Sequence, residues 1–248
     1  LEEDADSSSD SGFLNQQVNR LRFVRECEKL CELMAAYADA EPQAKPLCFF
    51  DGSFIISFAG KMADAAPYTR AVQQLLDCSE RYRVPLVGFV DRSFSHDIIT
   101  LIETVQNAPG TIPMSDANLL VTYLPKWGDR CPFFVCARGD ELSKWGKADF
   151  YEDVLFTYIR LTADHPPARL EMPRWVLEEG RADEIIDLVR AECVVGSGYP
   201  YAVETADAVA VISQQDRQRF YAYYQQILQD TGLTLQQTRK AMSKQSRR

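Results

Sequence analysis

Apolar residues recur every three or four positions between Asn15 and about Ala40: Val18, Leu21, Val24, Cys27, Leu30, Cys31, Leu33 and Met34. That spacing lines one side of a helix, so 13–46 reads as a helical arm that packs on the domain or on a partner helix, with 41–46 as its linker. The preceding stretch has five acids in its first ten residues, beside Ser7-Ser8-Ser9, and residues 1–12 are expected to be disordered. From Leu47 the pattern changes. Residues 47–58 form a run of aromatic and β-branched residues, the mark of a buried strand, with Ala59-Gly60-Lys61 closing a second strand of a hairpin.

Helical and strand periods then alternate. Pro67 opens a helix to about Arg83 with Val72, Leu75, Leu76 and Cys78 inward. Residues 84–90 are a short continuous apolar strand ending at Asp91-Arg92-Ser93, and a polar cluster at the exit of a buried strand is where α/β proteins place their sites. Further helices are expected over 95–106, from Ser115 as N-cap to Leu124, and over 182–193, 202–212 and 216–229. Further strands are expected over 133–136, 151–161 and 169–173. The result is an α/β domain spanning 47–230, followed by a tail at 231–248 that carries Arg239, Lys240, Lys244, Arg247 and Arg248.

Within the first strand run, Asp51 interrupts the chain at its most apolar point. An ionised carboxylate there is costly unless a cation or several donors meet it. Gly52 and Ser53 allow a tight turn and the close approach of a ligand. A metal ligand is one solution, and an Asp that caps its own turn is the other. Asp116 has a similar double reading. It is either a second metal-binding acid or a first-turn acid that complements the dipole of its helix.

Composition narrows the classes. With 46% hydrophobic and 25% charged residues, the 248-residue chain has the balance of a soluble globular protein. No apolar run is long enough for a bilayer, and no secretory signature is present, so a cytoplasmic location without membrane contact is expected. The seven cysteines lack CxxC spacing and read as reduced, buried thiols. His96 and His165 are the only histidines, which leaves little for a zinc site or a histidine-based nucleophilic triad. A net charge of −9 confines any nucleic-acid contact to a local basic channel.

Five segments together resemble the NurA family of DNA-end-processing nucleases: Phe50-Asp51-Gly52-Ser53, Val87 to Ser93, Ser115 to Leu120, Arg169-Leu170-Glu171-Met172-Pro173, and Gly198-Tyr199-Pro200-Tyr201. Their order and spacing over about 47–216 carry the resemblance, since none is specific alone. It implies an RNase H-like mixed sheet flanked by helices, DNA cleavage dependent on Mn²⁺ or Mg²⁺, a homodimer, and partnership with a HerA-type hexameric ATPase that pumps DNA. By position, Asp51 and Asp116 correspond to metal-binding acids, and Tyr199 to the tyrosine eight positions before the last active-site residue. Hard ions of this kind prefer oxygen ligands. A further acid would be Asp91 or Glu103, while Arg92, Ser93 and Arg130 are candidates for DNA phosphates. The arm and the Tyr-rich last helix are candidates for dimer contact.

The sequence departs from the family pattern at one position. The family's Ala-His pair is Ala206-Asp207 here, and a carboxylate is a poor substitute for an imidazole that donates a proton near neutral pH. Either Asp207 completes an all-oxygen metal site, or catalysis is weakened and a DNA- or ATPase-binding adaptor remains. Clustering of Asp51, Asp116 and Asp207 would support the enzyme. Asp51 and Asp116 on opposite sides would instead suggest an unrelated α/β domain with fortuitous spacing.

Overall fold

The computed structural model describes residues 3–40, 46–62, 64–139 and 149–231. Its strands are β1 (Cys48–Asp51), β2 (Leu86–Val90), β3 (Phe134–Val135), β4 (Val154–Ile159) and β5 (Ala168–Pro173). They form one mixed sheet in the order β1-β2-β5-β4-β3, in which only β1 and β2 run parallel. The helices are α1 (Glu3–Ala40), α2 (Ala66–Tyr82), α3 (Asp97–Gln106), α4 (Asp116–Leu120), α5 (Arg174–Glu178), α6 (Ala182–Val195), α7 (Tyr201–Val209) and α8 (Gln214–Thr231).

Strand alternation sends neighbouring residues to opposite faces, and both faces are buried, which is why the strands read as continuous apolar runs. The first face carries Cys48, Phe50, Leu86, Phe156 and Tyr158. They share a core with Cys27, Cys31 and Met34 of α1 and with Val72 and Leu75 of α2. The second face carries Val87, Phe89, Leu155, Leu170 and Met172, covered by Trp175 and Val176 of α5 and by Ile185, Ile186 and Val189 of α6. Parallel β1 and β2 are joined through α2, the usual crossover for such a pair.

Three local expectations change. The hairpin after Asp51 does not form: only 48–51 is strand, and 57–61 is a 3₁₀ turn. Phe54 and Ile56 are wholly buried, so the run was apolar because it fills the core, and its period could not distinguish that from a strand. Next, α1 begins at Glu3, inside the stretch expected to be disordered. Finally, α5 is a short extra helix opened by Pro173 at its N-cap. The basic tail at 232–248 lies outside the described residues.

The chain divides into two compact units, Leu1–Glu204 and Thr205–Arg248. In the second, Val211, Ile212, Phe220, Tyr221 and Tyr223 are exposed, and the Phe220 ring stacks on Tyr224. Among the described residues no helix is long and apolar enough to cross a membrane.

Candidate functional site

The parallel pair ends in two acids. Asp51 closes β1, and Asp91 directly follows β2; both are exposed. Asp51 is in register with Phe89, which places it on the second face of the sheet. Asp91 follows two residues after Phe89, just past the end of the neighbouring strand. The Tyr199 hydroxyl donates to Asp51 Oδ1 at 2.8 Å. Its ring meets Phe89 edge-on at 5.1 Å between centroids.

The loop that delivers Tyr199 depends on Gly198. Its φ of +109° belongs to glycine, and a Cβ there would stand 2.4 Å from Thr162 Cγ2. The Gly198 amide donates to Cys193 O at 2.7 Å, tying the loop to the end of α6.

A second polar group occupies the first face and is buried. Glu171, on β5 opposite Gly88 of β2, has no exposed surface. It accepts the Ser53 hydroxyl at 2.9 Å, the Phe54 amide at 2.7 Å and Arg169 Nε at 2.7 Å. Ser53 and Phe54 thus tie the turn after Asp51 to the sheet centre, because the chain after Asp51 crosses over β2. Gly88 makes the crossing possible: a Cβ there would lie 2.8 Å from the Gly52 carbonyl oxygen.

Arg169 continues the chain of charges. Its Nη1 donates to Asp97 Oδ2 at 2.6 Å, and its guanidinium lies 4.0 Å over the Phe156 ring. Asp97 also receives a two-pronged contact from Arg138, at 2.9 and 2.6 Å. Burial alone would raise the Asp97 pKa, but hydrogen bonds and charge from Arg138 and Arg169 more than offset it and hold the carboxyl below its ordinary range. Burial works against the Arg169 cation too, and Glu171 and Asp97 outweigh it, so its pKa is raised.

Asp116 lies on this first face. It is fully buried and accepts the Ile99 amide at 2.9 Å on Oδ1, and the Ile98 amide at 3.1 Å and the Tyr158 hydroxyl at 3.2 Å on Oδ2. Those amides open α3 and have no partner within their own helix. Asp116 therefore caps a neighbouring helix, while Ser115 caps α4 by accepting from Asn118 N at 3.4 Å. Burial raises the Asp116 pKa, and the two amides offset this only in part. Burial likewise pushes the Tyr158 hydroxyl up to about 12.

The structure thus brings together Asp51 and Tyr199, and places Asp116 on the opposite face of the sheet, with both its oxygens engaged. Asp207 is exposed on α7 in the second unit. Ser93, expected at phosphates, is buried against the Tyr158 hydroxyl at 3.1 Å. Arg130 pairs with Asp183 at 2.5 Å and lies 4.8 Å over Phe133, on the far side of β4, whereas Arg92 is exposed beside Asp91. Glu103 closes the loop after α3 by accepting the Gly110 and Ile112 amides, each at 2.9 Å.

Sequence reasoning missed Asp97, Arg138, Arg169 and Glu171 as one network. The alternating Arg169 and Glu171 on an otherwise apolar strand was the available signal, because alternation puts both on the same face.

Among the described residues no group of three His, Cys, Asp or Glu side chains could hold a metal ion. Asp116, on the opposite face with both oxygens engaged, is not placed beside Asp51 as a second donor. Mg²⁺, however, is commonly held by one or two carboxylates plus water and substrate phosphate. Exposed Asp51 and Asp91, at the exit of adjacent strands, fit that smaller set.

A five-stranded mixed sheet flanked by helices, with acids at the exit of its parallel pair, defines an α/β protein compatible with a nuclease fold. The family model described as NurA domain matches residues 1–212. The chain belongs to the NurA family, a family of nucleases, so the opposed placement of Asp51 and Asp116 does not make the motif spacing fortuitous. Searches of curated proteins and of solved structures gave no match.

Proposed function

We propose that this protein is a divalent-metal-dependent DNA nuclease that processes DNA ends in double-strand break repair. The observation that carries the reading is the Asp51–Tyr199 hydrogen bond at the exposed exit of β1. Tyr199 occupies one lone-pair direction of Oδ1 and so fixes the carboxylate rotamer. The Ser53 and Phe54 contacts to Glu171 hold the following backbone. An acid placed this way is pre-organised before any ligand arrives.

Asp51, with Asp91, would hold Mn²⁺ or Mg²⁺. When bound, such an ion activates water and neutralises charge on a scissile phosphate. Arg92, exposed at the same edge, is available for a backbone phosphate. The RNase H-like kinship of the sheet, the homodimer and the HerA-type hexameric ATPase belong to the same proposal, and rest on family membership.

The test is cleavage of end-labelled single- and double-stranded DNA with Mn²⁺ or Mg²⁺, beside Asp51→Ala and EDTA controls. Cleavage that disappears in both controls is expected. Cleavage that survives Asp51→Ala would remove Asp51 from the chemistry.

One observation favours a second reading, a catalytically weakened adaptor that binds DNA or the ATPase. Asp116 spends both oxygens on helix amides, and Asp207 stands where the family carries histidine. Binding of DNA without cleavage, both alone and with a HerA-type ATPase added, would select it.

A further inference from the structure

The segment between β2 and α3 alternates in exposure over residues 92–97. Ser93 is buried, and Ser95 and Asp97 are partly buried, whereas Arg92, Phe94 and His96 are exposed. Phe94 is 78% exposed. A single exposed phenylalanine is ordinary on a protein surface. The anchoring of the backbone on both sides of this one is not.

The inner residues are tied into the buried network. Ser93 Oγ lies 3.1 Å from the Tyr158 hydroxyl and accepts the Ser95 amide at 3.3 Å. Ser95 O accepts the Asp116 amide at 2.9 Å, and Ser95 Oγ accepts from Arg138 Nη2 at 3.2 Å. Asp97 then binds Arg138 and Arg169. Together these contacts fix the backbone of residues 93–97 and leave Phe94 on its outer side. In sequence Phe94 stands three residues after Asp91 and between Arg92 and His96, all three of them exposed.

We infer that Phe94 is a stacking platform for an unpaired nucleobase, and that Arg92 and His96 flank it as contacts to the adjoining phosphates. The inference rests on the nuclease reading above and names its substrate form: a single-stranded or frayed DNA end, whose bases are free of their neighbours. An aromatic face accepts any base, so the platform gives affinity without sequence preference. It also explains how a chain of net charge −9 holds a polyanion, because stacking supplies binding that does not depend on bulk charge.

The test uses the full chain in EDTA, so that cleavage does not intervene. A short oligothymidylate carrying one 2-aminopurine is titrated with protein, and both 2-aminopurine fluorescence and anisotropy are read. Wild type is expected to bind and to quench the fluorophore, with blunt duplex binding weaker. Phe94→Ala should weaken binding about tenfold, within the range measured for one base–aromatic stack, and abolish the quench. Phe94→Trp should restore both. Circular dichroism of the variants confirms that they fold. If Phe94→Ala binds and quenches like wild type while wild type cleaves DNA with metal, the stacking role is refuted and the nuclease reading stands. If wild type neither binds nor cleaves any DNA, both fall together.

Discussion

Substitution of Asp116 separates two meanings of one carboxylate. As a helix cap, it satisfies the Ile98 and Ile99 amides and shares the Tyr158 hydroxyl, all of them buried. Asp116→Ala leaves both amides without an acceptor, while Tyr158 keeps its contact to Ser93. Each orphaned buried donor costs about 1–3 kcal/mol. Relief from burying a charge returns part of this, so a net loss of about 3 kcal/mol is expected from the same balance. Asp116→Asn keeps one carbonyl acceptor and loses the charge, for about 1–2 kcal/mol.

Urea denaturation at pH 7 reads both values, with the slope unchanged if only the folded state is affected. The pH dependence has a definite sign. Because the folded pKa of Asp116 is raised, its carboxyl favours the fold below the ordinary carboxylate range, and that contribution is lost as pH rises through the raised value. Asp116→Asn should remove this decline. The capping argument is refuted if Asp116→Ala stays within about 0.5 kcal/mol of wild type, the range of an inert surface change. A stable Asp116→Asn that has lost all cleavage would restore the metal-ligand role implied by the family resemblance.

Three further outcomes follow from the same contacts. Arg169→Met leaves the buried Glu171 without its cation, while the partly buried Asp97 keeps Arg138, and should cost about 3–5 kcal/mol in urea denaturation. Asp97, with its depressed pKa, contributes stability that is present above the ordinary carboxylate range and lost as pH falls through its folded value; denaturation midpoints from pH 7 down to pH 3 should show this, and Asp97→Asn should flatten the curve. Tyr199→Phe keeps the ring on Phe89 but removes the donor to Asp51, so stability in urea denaturation should hold within about 0.5 kcal/mol while DNA cleavage falls.

The alternation of helix and strand was legible because each period arises within one element. The helix at Ala66–Tyr82 and the strand at Leu86–Val90 appear within two residues of their expected places. Asp51 was legible as an anomaly, since an acid amid Phe49, Phe50 and Phe54 asks for an explanation whatever the fold. The rest depended on distant partners. Ser115 announced its own helix, but nothing near Asp116 could show that it caps α3, whose amides lie 17 and 18 residues earlier. The role of Glu171 was equally hidden, because its donors come from the turn after β1. Residues 53–58 misled for a simpler reason: Phe54, Ile55 and Ile56 are all buried in succession, and such a run shows no period.

The bond between Ser53 and Glu171 spans 118 residues of sequence, and that distance orders events in time. Closing so long a loop is slow, and it is rewarded only once the intervening strands have found their places. The turn beside Asp51 is therefore expected to acquire its native backbone late, after β5 has docked on β2. A chain still being synthesised, or one caught half-folded, has the acid but not the rigid turn behind it. The rigid turn beside Asp51 is thus a product of the assembled sheet, and local sequence alone does not supply it.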